Sequence, residues 1–187
     1  GAAGVSRRAA DGGTRFCEHV RGDGQDGFRG PGEDVLGGMP EGFGASARAA
    51  AEQRGLAGKA VVTLSRYSVE PFLKSSSRRD LREKAYKAFT ARGDNGNAHD
   101  NNAVIPEILS LREESAKLLG YPSFVAYRLE DSMAKTPEAA RSLLERVWTP
   151  ARPRAPADRD ALHPRLTEAG GTVAMAPSAC RICADML

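Results

Sequence analysis

From Val61 to Val147 apolar residues recur at helical spacing, and explicit start and stop signals separate the runs. This pattern constrains the chain to a mainly α fold. Val104, Ile108, Leu111 and Leu118 define one stripe, widened by Ile105, Leu109, Ala116 and Leu119. Gly120 ends that helix and Tyr121-Pro122 prevents its continuation, while Pro106 sits near the start, where a missing N–H costs little. Upstream, Asp80 and Glu83 form a D-x-x-E capping box before Leu81, Ala85, Ala88 and Phe89, a helix ended by Gly93. Downstream, Ser123 caps a short helix over FVAYRLEDSM. Thr136-Pro137 then opens one expected to bury Leu143, Leu144, Val147 and Trp148. Val61 to Leu64 reads as the one short strand.

Both flanks read differently. Residues 1–44 hold 13 of the 20 glycines and few apolar residues, so a poorly ordered, loosely packed segment is expected there. A short helix follows over ASARAAAEQR, with Gly55 as its stop. Pro150, Pro153, Pro156 and Pro164 interrupt residues 149–187, and an interior proline costs a helix about 3 kcal/mol. Three regions are therefore expected: 1–44, a helical domain over 45–148, and a proline-interrupted tail over 149–187.

Composition narrows the function. Charged residues make up 27% of the chain, and no apolar run approaches the roughly 20 residues of a membrane span. A net charge of +3 is too small to imply nucleic acid. The basic run Arg78 to Arg92 reads as a solvated helix face. Cys17, Cys180 and Cys183 cannot form a paired disulfide framework, which fits a reduced, cytoplasmic setting.

No constellation reads as catalytic. Zinc peptidase chemistry needs two histidines at i and i+4 on one helix, with a glutamate between them as general base. His19, His99 and His163 are far apart and none belongs to such a motif. Cys180-Arg181-Ile182-Cys183 is a lone C-x-x-C without a second pair. Gly93-Asp94-Asn95-Gly96-Asn97 lacks the residues of a phosphate or calcium loop and reads as a connecting turn. Ser75-Ser76-Ser77 has no matching histidine base, and Tyr121, Phe124, Tyr127 and Trp148 read as core aromatics. No catalytic or metal-binding residue is assigned, and no substrate-binding residue is identified.

The order of segments nevertheless resembles a known family. VVTLSRYSVEPFL, LREKAYKAF, HDNNAVIPEILSLREESAKLLGY and MAKTPEAARSLLERV, in this order and spacing, are similar to the M3 zinc metallopeptidases of the oligopeptidase A and peptidyl-dipeptidase group. The resemblance covers roughly residues 45–177, a middle section that precedes the family's His-Glu-x-x-His helix. It implies a helical portion of a zincin-like, two-lobed enzyme that encloses a channel. There, zinc held by two histidines and a glutamate activates water to cleave oligopeptides. This section would build the channel wall and restrict access, and alone it is expected to be inactive. The chain departs from the family in its prolines after Trp148, and in Ser178 to Cys183, where relatives are rich in aromatics. A stand-alone helical interaction module, or a decayed remnant without activity, is the alternative.

Overall fold

The computed structural model describes residues 1–31 and 35–168. Its helices are α1 (Ala2–Asp26), α2 (Glu41–Glu52), α3 (Arg66–Ser75), α4 (Arg79–Thr90), α5 (Val104–Leu118), α6 (Phe124–Leu129) and α7 (Pro137–Glu168). Two strands, β1 (Phe28–Pro31) and β2 (Lys59–Val62), complete the described elements. The fold is mainly α, as the periodicity predicts. The chain divides into two units, one built on Gly1–Glu18 and Asp100–Asp160, the other on His19–His99.

In the His19–His99 unit, β1 pairs antiparallel with β2, with Phe28 opposite Val62 and Gly30 opposite Ala60. The strand expected at Val61–Leu64 thus lies two residues earlier, and its partner comes from the glycine-rich stretch. Ala60, Val61 and Val62 are all buried. Ala60 and Val62 pack with Val35, Ala47, Val69, Phe72, Leu73, Leu81 and Ala85, supplied by α2, α3, α4 and the segment before α2. Phe72, fully buried and 6.4 Å from Phe43 between ring centroids, is the largest side chain of this core. Burial of such a ring is worth about 2–3 kcal/mol.

In the other unit, α1 and α5 run antiparallel. The Ser6 and Ser115 hydroxyls meet at 2.8 Å, Arg15 Nη2 reaches Glu107 Oε2 at 2.6 Å, and Asn101 Nδ2 donates to the Phe16 carbonyl at 3.2 Å. Between these contacts Gly12 brings the helices together: a Cβ there would lie 2.8 Å from Ile108 Cγ1. Val5, Val104, Ile108, Leu111 and Ala116 are buried along this seam.

Several local signals act where they are predicted. Gly120, at φ +85°, terminates α5 with Tyr121 N–H donating to the Ala116 carbonyl and Gly120 N–H to that of Lys117, both at 3.0 Å. Ser123 Oγ accepts from Ala126 N–H, and Thr136 Oγ1 from Ala139 N–H. The Asp80 capping box does not form. Helix α4 starts two residues earlier, with Arg78 at the N-cap and no side-chain cap, and Arg78 grips both Asp80 oxygens, at 3.0 and 2.9 Å. A two-pronged guanidinium bond outcompetes a single backbone N–H.

Three larger expectations are corrected. The glycine-rich N-terminus forms the 25-residue helix α1. Small residues at Ala9 and Gly12, spaced between Val5 and Phe16, make a face that tertiary contact stabilises although propensity does not. Prolines 150, 153, 156 and 164 lie inside α7, where residues 149–160 are exposed throughout and, among the described residues, no packing offsets their cost. The apolar residues of α7 are also open to solvent: Leu144 is 69% and Trp148 62% exposed, with Leu143 and Val147 similar. On α5, Leu118 is exposed with Ile105, Leu109 and Leu119.

Candidate functional site

Two constellations carry most of the polar chemistry. The first surrounds Asp23, a residue with no local sequence signal and 4% exposed. The turn after α4 closes over it. Gly93 N–H donates to Oδ2 at 2.7 Å and Asn95 Nδ2 to the same oxygen at 2.8 Å. Asn97 Nδ2 and His99 Nδ1 reach Oδ1 at 3.1 and 3.2 Å. An ionised carboxylate only accepts, so His99 carries its proton on Nδ1. Burial alone would push the Asp23 carboxyl up, but the bonds from Gly93, Asn97, Asn95 and His99 together hold it below its ordinary value of 3.8. The connecting turn expected over Gly93–Asn97 is thus a clasp on α1.

The structure brings together two histidines that the sequence separates. His19 and His99 have ring centroids 6.0 Å apart, with Asp23 beside them. The zinc implied by the resemblance does not fit here. Both Asp23 oxygens are occupied by N–H donors, His99 turns its Nδ1 proton toward them, and no group of three or more His, Cys, Asp or Glu side chains among the described residues could hold a metal ion. Cys17 is exposed and unbridged; Cys180 and Cys183 lie outside the described residues, as does the side chain of His163.

The other residues singled out by sequence have structural partners. Ser76 is fully buried, its carbonyl accepting from Arg82 and its hydroxyl from Arg78 N–H. In the basic run, Arg78 binds Asp80 and Lys87 binds Glu83. Arg92 donates to the Leu64 and Phe89 carbonyls while stacked 4.1 Å over the Phe89 ring. Arg82 and Arg92 serve the fold, while Lys84 and Lys87 stay on the solvated helix face that the sequence predicts.

The second constellation is a cleft of about 410 Å³ in the unit of Asp100–Asp160. Ser6 on α1, Arg112 and Ser115 on α5, and Phe124, Tyr127 and Arg128 on α6 line it. Each set repeats at i, i+3 or i+4, so each helix turns one face inward. The Phe124 and Tyr127 rings meet at a tilt of 54° with centroids 6.1 Å apart, and the Arg112 guanidinium lies 5.2 Å over the Phe124 ring. Phe124 and Tyr127 therefore form a half-buried wall, and Trp148, on exposed α7, is not a core residue either.

Kinship decides where the chain belongs. The description "Peptidase family M3" matches residues 72–172, more than half of the chain. The chain belongs to peptidase family M3. Its M3 relatives include the dipeptidyl carboxypeptidase of Escherichia coli (strain K12), 37% identical over 120 residues, which are 64% of this chain and 18% of that protein. Oligopeptidase A of Haemophilus influenzae is 33% identical over 149 residues, 78% of this chain and 22% of the relative. The probable cytosolic oligopeptidase A of Arabidopsis thaliana is 40% identical over 95 residues, 49% and 13% respectively. The chain therefore spans less than a quarter of the length of these M3 relatives. The match begins at the fully buried Phe72 and runs through α4, α5 and α6 into α7.

Proposed function

We propose that this chain is a section of a zinc-dependent M3 oligopeptidase, forming part of the helical wall around the channel where short peptides are cut. The carrying observation is that the family match falls on the helical run from α3 to α7. In the whole enzyme zinc supplies water activation, and this chain's helices supply shape that excludes folded proteins. No step of the hydrolysis is assigned to residues of this chain. The relatives carry both names, dipeptidyl carboxypeptidase and oligopeptidase A, so either mode of cleavage of short peptides is compatible with the match. A quenched-fluorescent peptide tests the reading. The chain alone with zinc should stay at background, and a longer product bearing His-Glu-x-x-His should cleave it, lose activity to a chelator and regain it with zinc. Cleavage by the chain alone, or zinc-independent cleavage by the longer form, overturns the proposal.

A second reading, a helical interaction module, is favoured by the exposed Leu143, Leu144, Val147 and Trp148, which form one apolar stripe on α7. Light scattering separates the two: a defined small assembly supports the module, polydisperse association a section lacking its neighbours. A cytoplasmic location is supported by the name of the cytosolic Arabidopsis relative and by the unpaired cysteine count. Cell fractionation checks it, and recovery in an organelle would refute it. No helix among the described residues is long and apolar enough to cross a membrane. With Arg78, Lys87 and Arg92 already engaged within the fold, DNA and RNA mobility at low salt should be unaltered.

A further inference from the structure

We infer that the cleft between α1, α5 and α6 binds the terminal carboxylate of a short peptide, with the adjoining apolar side chain resting on Phe124 and Tyr127. Arg112 and Arg128 both line this cleft, and neither pairs with a carboxylate among the described residues. Of the acids nearby in sequence, Glu113 pairs with Lys117, Glu114 with Arg8 and Glu130 with the Tyr121 hydroxyl, while Asp131 forms no ion pair with either arginine. Two guanidinium groups are thus left facing a concave surface. A guanidinium presents its N–H groups as a planar fork that matches a carboxylate with two parallel bonds.

The wall of the cleft selects what the carboxylate is attached to. Phe124 holds the Arg112 guanidinium over its face, which reduces the ordering that binding would otherwise cost. The same ring meets Tyr127 at a tilt, leaving an aromatic surface beside the cations. At the floor, the Ser6 and Ser115 hydroxyls meet at 2.8 Å. One hydrogen is spent between them, and the other remains to donate to a ligand oxygen. The small Ala9 and Ala10 leave room on the α1 side. A volume near 410 Å³ falls in the range of small-molecule sites and suits a dipeptide. Inorganic phosphate would satisfy the arginines but leave the aromatic wall unused. The choice of a peptide among carboxylates rests on the peptidase reading above; the oxyanion chemistry rests on the cleft alone.

Calorimetric titration of the full chain tests the proposal, with N-acetyl-Phe-Leu as the free acid, its C-terminal amide, and inorganic phosphate as probes. The free acid should bind, and the amide should bind about tenfold more weakly or less, the loss expected for a charge-assisted bond. Arg128→Gln, at an exposed position, should weaken the acid about tenfold, leave the amide unchanged and preserve the far-ultraviolet dichroism. Arg112→Lys keeps the charge over Phe124 but not the fork, and should weaken the acid while sparing the fold. Displacement of the acid by phosphate supports the oxyanion subsite. Equal binding of acid and amide, an unaffected Arg128→Gln variant, or binding of phosphate without the acid overturns the proposal. The readout is binding without turnover, so its failure leaves zinc-dependent hydrolysis by the longer form untouched, and the reverse also holds.

Discussion

At the scale of single residues, the Asp23 clasp makes the sharpest predictions. Asp23→Ala strands the buried Gly93 N–H and removes the anchor for Asn95, Asn97 and His99. It should cost about 2 kcal/mol in urea denaturation. The pH dependence follows from the lowered carboxyl. Because the folded state prefers the ionised form, this stability is fully present above the ordinary value of 3.8. It is lost as pH falls through the lower, folded value. An acid titration followed by circular dichroism should show this slope, and Asp23→Asn should lack it. Gly22 lies against the same clasp: a Cβ there would sit 2.8 Å from two atoms of the His99 ring. Alanine gains about 1 kcal/mol of helix propensity, but overpacking a ring pinned to Asp23 costs about 1–3 kcal/mol. Gly22→Ala should therefore destabilise alone and become stabilising in a His99→Ala background. A double-mutant cycle that finds the two changes additive would refute this contact.

At the scale of elements, α7 is the unusual one. Its start is well specified, with Thr136 capping and Pro137 in the first turn, and Thr136→Ala should cost that end about 1 kcal/mol. Beyond Trp148 each proline deletes a ladder hydrogen bond, and no packing on residues 149–160 restores it. Amides of residues 149–168 should exchange with deuterium within the earliest time points, while those of Ile108, Leu111 and Ala116 on α5 are protected. Equal protection of both segments would overturn this ranking. Helix α1 shows the opposite balance. Its glycines argue against a helix locally, but the close approach at Gly12 and the Ser6–Ser115 contact reward one.

At the scale of the whole molecule, the exposed apolar stripes of α5 and α7 govern association more than stability. Leu144→Glu with Trp148→Glu should move the unfolding free energy by no more than about 0.5 kcal/mol, since both side chains are largely exposed. The same pair should raise the fraction of monomer in sedimentation velocity. Unchanged association would show that α7 is not the adhesive face. The M3 match predicts that such stripes have a place to pack in a longer protein, because this chain spans 22% or less of the relatives described.

Helical spacing, the stops at Gly55 and Gly120, the caps at Ser123 and Thr136, and the family order of segments were all legible in the sequence. Each depends on residues within one or two turns of one another, where hydrogen bonds and periodicity are local. Burial was not legible in the same way. Val104, Ile108 and Leu111 are covered because α1 lies on them, while Leu109 and Leu144 carry the same hydropathy and are not. Nor could the clasp be read ahead, since Asp23 and its partners are 70 to 76 residues apart and nothing local marks the carboxylate. Local chemistry determined which segments become helices; only the tertiary structure decided which faces meet and which polar groups find one another, because desolvation and long-range hydrogen bonding exist only once distant segments are in contact.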